Sequence, residues 1–258
     1  MRGRYPWKVG ATSFVLPDSV EANVRHLAGA VDDIQLLYFE SAWQARLPHY
    51  IDMNQLAALA LEHGHSYTVH LPLDLRLGAT DHVVREQSVA EICRIVGECQ
   101  TLSPVAYDLH LNREASQTDA EWCRLCGHSL ALLRAELAEA WSRIYVENID
   151  YDFQLVTPIL KESGVGVCVD FGHVHHFGFA DTGMMCRYKV GHIHLHGCAD
   201  GRDHQPLSEA DIPFLQRLAH EMVAHEYNGV VTLEVYKSKW LSSSLEIVDQ
   251  AWSEFTIP

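Results

Sequence analysis

Basic residues are scarce in this sequence. Over 258 residues, 19 Lys and Arg stand against 34 Asp and Glu, a formal charge of -15. Affinity for a polyanion comes from clustered cations, so the balance argues against nucleic acid as a partner. No run of eighteen apolar residues occurs, so no membrane-spanning helix is expected. Met1 to Trp7 is short and polar, without the apolar stretch of a secretory signal, and the expected location is the cytoplasm. No Pro/Ser-rich linker or low-complexity stretch divides the chain, so residues 1–258 read as one domain. Neither GxGxxG nor GxxxxGK[ST] follows the first apolar run, which excludes both phosphate-cradling loops. The seven Cys are odd in number and irregularly spaced, which fits free thiols in a reducing compartment. Cys123 and Cys126 form a CxxC near His128, but inside a helical pattern and with no second pair. Inert thiols are expected there rather than a zinc or redox site.

What the chain does have is an ordinary globular composition, 48% hydrophobic and 21% charged, and 17 His. Short β-rich runs alternate with longer helical ones. Strands are expected at 8–15, 33–40, 66–73, 105–111, 143–149, 165–170, 190–196 and 230–236. Helices are expected at 18–30, opened by a capping box of Asp18 and Glu21, and at 52–63, stopped by Gly64. Others follow at 118–142, capped by Thr118 and Glu121, at 152–163, stopped by Gly164, and at 209–227. A last helix is expected to start near Ser243, capped with Glu246. Eight strands alternating with helices in about 250 residues imply an α/β fold, a single (β/α)8 TIM barrel. A doubly wound open sheet is the alternative.

Side chains alternate along a strand, so residue parity separates a lumen face from a helix face. In the seventh strand His192, His194 and His196 share one face, and Ile193 and Leu195 share the other. The apolar pair should meet the helices, so the histidines should point inward. The same split recurs. Val69 and Leu71 flank His70, and Leu109 and Leu111 flank His110, with Asp108 on the His110 face. Ile144 and Val146 oppose Glu147, Val167 and Val169 oppose Asp170, and Leu233 and Val235 flank Glu234. All of these polar residues lie near the C-terminal ends of their strands, where barrel active sites are built. A single inward histidine is ordinarily a hydrogen-bonded core residue. Six donors at one mouth, including three mutually repelling carboxylates, need cations. His and carboxylate ligands suit zinc, manganese or iron(II). His173 and His204, in the loops after the sixth and seventh strands, could also reach the mouth. His63, His65, His175, His176, His220 and His225 read as surface or helix residues.

This ligand series resembles the xylose isomerase-like barrels that include apurinic/apyrimidinic endonuclease IV and the sugar epimerases. The resemblance runs strand by strand along the chain. The epimerases' metal set of Glu, Asp, His and Glu matches Glu147, Asp170, His194 and Glu234. The endonuclease-like members add histidines matching His70 and His110, bind up to three metals and hydrolyse phosphodiesters. There Glu147 would serve two ions. A third ion implies His173 and an Asp-x-His, but here Asp203 and His204 are adjacent and Arg202 stands where the spaced Asp would be. Within this group, VDDIQLLYFES and TVHLPLDLRLG are similar to the cobamide-remodelling phosphodiesterases (CbiR-type). That resemblance implies hydrolysis of the cobamide (vitamin B12-type) nucleotide-loop phosphodiester, releasing an α-riboside and leaving cobinamide phosphate.

The implied cofactors are two to three divalent ions, zinc or manganese, on His70, His110, Glu147, Asp170, His173, His194, His204 and Glu234. Glu147 and Glu234 would be the catalytic residues. Arg76, Arg113, Arg202 and Lys237 are the obvious basic residues in the strand-to-helix loops. Four can grip one phosphodiester but hardly a duplex, so a small molecule is the expected substrate. Asp108, His192 and His196 are candidates to orient ligand imidazoles. Three other functions fit the residues: a sugar isomerase or epimerase with one metal, an endonuclease-like DNA hydrolase, and a metal-dependent binder without catalysis.

Overall fold

The computed structural model describes residues 2–42, 51–179 and 183–257. Seven parallel strands come first: β1 (Lys8–Thr12), β2 (Asp33–Leu37), β3 (Ser66–His70), β4 (Tyr107–His110), β5 (Ile144–Glu147), β6 (Gly166–Asp170) and β7 (Val190–Leu195). An antiparallel hairpin follows, β8 (Gly197–Ala199) and β9 (Arg202–Gln205). The last strand, β10 (Val230–Leu233), pairs with both β7 and β1 and closes an eight-stranded parallel barrel. Closure is the expected TIM barrel and excludes the open sheet. The helices are α1 (Val20–Leu27), α2 (Met53–His63), α3 (His82–Glu98), α4 (Asp119–Leu137), α5 (Thr157–Ser163), α6 (Phe171–His176), α7 (Met184–Arg187), α8 (Ile212–Ala224) and α9 (Ser238–Ala251). None among the described residues is long and apolar enough to cross a membrane.

Strand parity divides the interior into two zones. Val69, Leu109, Val146, Val169, Ile193 and Leu233 point outward and are buried beneath the helices, where apolar burial supplies the main stabilisation. The opposite row fills the barrel lumen in layers. Tyr145 occupies the floor, and a Cβ on the neighbouring Gly191 would collide with its ring. The next layer is polar and hydrogen-bonded. Asp33 accepts from Thr68 and Ser66 at 2.7 and 2.6 Å, and Asp108 accepts from His192 and Gln35 at 2.7 and 3.1 Å. Register then sets the top layer. His110 pairs with Glu147 across β4 and β5, and Asp170 pairs with His194 across β6 and β7.

Several local expectations change. Seven of the eight barrel strands end before their expected limits, because the trailing residues already belong to the loops of the mouth; β6 ends at Asp170, as expected. The N-cap of α1 is Ser19, whose hydroxyl accepts from Ala22 N–H at 3.2 Å, not Asp18. The last helix begins at Ser238, not near Ser243. Ser242 and Ser243 instead turn their hydroxyls back onto the Ser238 and Trp240 carbonyls, which lets serine sit inside a helix. Helix α3 was not foreseen, since its buried face carries Ser88 and Glu91 and blurs the apolar stripe. The hairpin β8–β9 was likewise not foreseen.

His65 is a correction. Expected at the surface, it is only 6% exposed, edge-on to Tyr67, and neither ring nitrogen has a hydrogen-bond partner. Burial pushes its pKa down to about 4. His63, His175, His176, His220 and His225 are partly or fully exposed, as expected. All seven cysteines are free. Cys126 is buried and burial raises its thiol pKa, in keeping with an inert CxxC.

Candidate metal centre

Glu147 stands at the centre of the mouth, at the end of β5 and fully buried. Its two oxygens face different partners. Oε2 lies 3.1 Å from His70 Nε2 and 3.1 Å from His110 Nε2. Oε1 lies 3.3 Å from His194 Nδ1, and that nitrogen is 3.4 Å from Glu234 Oε1. Asp170 completes the second group, 3.3 Å from His173 through Oδ2. Donor atoms of His70, His110 and Glu147 all lie within 4.8 Å of one another, and so do those of Glu147, Asp170, His194 and Glu234. A third group within the same limit is His173, His196 and His204. A fourth, Asp108, Cys168, His192 and His194, lies in the polar layer below.

The donor chemistry fits a divalent cation. Glu147 Oε1, Asp170 Oδ2, His194 Nδ1 and Glu234 Oε1 are buried and have no hydrogen-bond partner. Unsatisfied buried charges are costly, and all four residues belong to one donor group. His70 is prepared in the same sense. Its Nδ1 donates to the Leu71 carbonyl at 2.9 Å, which leaves the Nε2 lone pair aimed at the Glu147 carboxylate. A lone pair facing a carboxylate requires a proton or a cation between them.

The electrostatics carry the same message. Burial opposes charge on His70, but the hydrogen bond and charge of Glu147 outweigh it and raise the pKa to about 9. Burial likewise opposes charge on His194, and the surrounding anionic groups still lift it well above the ordinary value. Burial disfavours the Glu147 anion, yet His194 and His110 hold its pKa well below the carboxylate range. Asp170 behaves in the same way beside His196 and His173. His204 is the exception, since burial pushes its pKa down.

Supporting groups come from the layer below and from neighbouring strand ends. Asp108 accepts from His192 Nδ1 at 2.7 Å, and His192 Nε2 meets the Thr232 hydroxyl at 2.8 Å. Gln35 Nε2 lies 2.8 Å from His194 Nε2. Asn148 joins β5 to β6, donating to the Asp170 carbonyl and accepting from its N–H, both at 2.9 Å. Gln35, Asn148 and Cys168 escaped the sequence reading. Gln35 and Cys168 share their strands' inward parity, a usable signal; Asn148 has only its place after Glu147.

The other candidate residues divide. His173 and His204 sit together with ring centres 5.5 Å apart, and Asp203 Oδ2 is 4.0 and 3.9 Å from their Nε2 atoms. His196, expected to orient other imidazoles, joins them, with its ring centre 4.2 Å from that of His204. Gly172 makes room, since a Cβ there would collide with the His196 ring. The basic residues are less concentrated. The Arg113 guanidinium lies 2.5 Å from Asp119 and donates to the Gln117 carbonyl at 2.6 Å. Arg76 is 3.6 Å from Glu114. Arg202 is exposed on β9, and Lys237 Nζ lies 4.0 Å from the centre of the Trp240 ring.

A family model described as xylose isomerase-like TIM barrel matches residues 28–252. The chain belongs to this family. Among solved structures, a D-tagatose 3-epimerase-like protein superposes with a TM-score of 0.79 at 18% identity, covering 96% of this chain and 98% of that one. The IOLI protein with a binding zinc atom gives 0.75 at 14%, covering 96% and 99%. A D-psicose 3-epimerase with D-tagatose, from Clostridium cellulolyticum H10, gives 0.72 at 16%, covering 96% and 91%. At these identities the likeness is one of fold. A search of curated proteins finds no match in sequence.

Proposed function

We propose that this xylose isomerase-like barrel is a metal-dependent phosphodiester hydrolase. The observation that carries the reading is Glu147, whose Oε1 and Oε2 face two separate donor sets. His70, His110 and Glu147 would hold one divalent ion, zinc or manganese. Glu147, Asp170, His194 and Glu234 would hold another, and His173 with His204 a third. Such ions supply Lewis-acid stabilisation of charge on a phosphate. The chain's own residues do the rest. Leu71 and Gln35 fix the ring orientations of His70 and His194. Glu147 and Glu234, the proposed catalytic residues, present buried oxygens toward one another's histidine partner. A single-domain protein with seven free thiols suits the cytoplasm.

The finer substrate reading is a small phosphodiester, the nucleotide loop of a cobamide. It is supported by the segments at residues 31–41 and 68–78 and by the shortage of free basic side chains at the mouth. The test is incubation of the full chain with a cobamide and zinc or manganese, followed by product masses. Release of an α-riboside with cobinamide phosphate is the expected result. No reaction with any cobamide removes that substrate.

A second reading, a sugar epimerase, is favoured by the Glu147, Asp170, His194 and Glu234 set taken alone and by the names of the structural neighbours. There Glu147 and Glu234 would exchange a proton with the substrate. Metal stoichiometry separates the two. One tightly held ion per chain, insensitive to His70→Ala and His110→Ala, favours the epimerase; two or more, reduced by those changes, favour the hydrolase.

A further inference from the structure

Donors for the metal groups come from β3, β4, β5, β6, β7 and β10, from the residues just after them, and from His204 on β9. Among the described residues, β1 and β2 are the two barrel strands that supply none. What they supply instead is aromatic. Phe14 lies two residues beyond Thr12, and Phe39 two beyond Leu37, so both continue the inward-facing parity of their strands above the donor layer. Tyr236 does the same two residues beyond Glu234. In barrel order β10, β1 and β2 are consecutive neighbours, so the three rings form one arc.

The rings are in contact. Phe14 meets Phe39 with centres 5.0 Å apart and Tyr236 at 6.5 Å, both edge-on. Tyr236 lies 5.1 Å from His204, which joins the arc to the donor cluster without a gap. Leu73 lies just beyond β3. The backbone beneath is tied: Leu73 N–H donates to the Phe39 carbonyl at 3.2 Å and Ser238 N–H to the Val15 carbonyl at 2.9 Å. Yet Phe14 is 43% exposed and Leu73 45%. Large apolar side chains half in water beside a charged cluster mark a surface suited to a ligand.

We infer that this arc is the specificity wall of the site, and that the substrate carries a flat aromatic or heteroaromatic group on one ester of its phosphodiester. The inference rests on the proposed hydrolase for the phosphodiester and on the arc alone for the flat group.

Two measurements on the zinc-loaded full chain test it. The first is calorimetric binding of phenylphosphonate against methylphosphonate, which needs no turnover. Phenylphosphonate should bind roughly tenfold tighter, and Phe14→Ala and Phe39→Ala should each remove most of that preference at unchanged zinc content. Phe14→Leu, which keeps bulk without the flat ring, should be intermediate. The second is kcat/KM for bis(p-nitrophenyl) phosphate against methyl p-nitrophenyl phosphate, whose ratio should fall in the alanine variants. Equal binding of the two phosphonates, or a preference that survives both alanine variants, overturns the wall. A phenyl preference that depends on Phe14 in a chain that cleaves neither diester upholds the wall and removes the hydrolase.

Discussion

Stripped of metal by a chelator, this chain should lose stability as the solution is made more alkaline. His70 is the group that sets the magnitude. Burial disfavours its charge, but Glu147 at 3.1 Å raises its pKa to about 9 in the folded state. An unfolded histidine titrates near 6.5. A folded value above the unfolded one contributes stability that is fully present below pH ~6.5 and is lost as the pH rises through ~9. Between about pH 5 and about pH 8 this pair alone should cost about 2 kcal/mol. For a domain of this size that is a fall in melting temperature of roughly 4–8 °C. The assay is a thermal melt in chelator across that range, on the parent and on Glu147→Gln. Other groups titrate in the same range, so the difference between the two proteins isolates the effect of Glu147 on its imidazole neighbours, His70 among them. Zinc should reverse the trend, because a cation needs the imidazole without its proton and gains affinity as pH rises. A Glu147→Gln variant with the parent's pH profile would refute this account of the site.

Two further outcomes follow from the packing. Gly172→Ala places a methyl against the His196 ring; overpacking of this kind costs roughly 1–3 kcal/mol, of which helix propensity returns at most about 1. The variant should melt lower and bind zinc more weakly, and an unchanged zinc titration would show that His196 is free to move aside. His65→Leu removes two buried ring nitrogens without partners and should raise stability by roughly 1–3 kcal/mol. Its folded pKa of about 4 lies below the unfolded value, so its contribution is present above pH ~6.5 and lost as pH falls toward 4. Urea unfolding at about pH 7 and about pH 5 should therefore show the variant's advantage widening in acid; a constant gap would place the imidazole in water.

Much of this was legible before any coordinates. Parity alone placed His70, His110, Glu147, Asp170, His194 and Glu234 on the lumen face, since a two-residue period leaves a strand only one way to hide Ile193 and Leu195. Closure was legible too, because eight strand-helix units admit few other solutions. What escaped depends on contacts rather than period. Helix α3 hides Ser88 and Glu91 on its inner face, where Ser88 Oγ bonds the Val84 carbonyl and Glu91 pairs with Arg94. His65 looks like one more polar residue at a strand start, and only the packing of Tyr67 against it shows that it is enclosed. His196 shares the parity of His192 and His194, yet its place beside His173 and His204 is set by the β8–β9 hairpin. That turn brings His204 N–H to His196 Nδ1 at 2.9 Å, a consequence of loop geometry that no strand pattern encodes.

The charge arithmetic takes a different form once these contacts are known. A deficit of basic residues argues against a long polyanion, but it leaves open how even one phosphate is gripped. Arg76 and Arg113 look available in sequence and are instead engaged by Glu114 and Asp119. Arg202 and Lys237 remain at the surface. If an anionic substrate binds at this mouth, the countercharge must come from the cluster. The imidazoles whose charge Glu147 and Asp170 favour cannot supply it alone, because they already face those carboxylates. Divalent cations on those same donors would displace the protons and add charge beyond neutrality. The scarcity of Lys and Arg and the concentration of His at the strand ends are thus two sides of one design. On the proposed function, the barrel would attract its substrate through ions it binds, and could remain acidic over the rest of its surface.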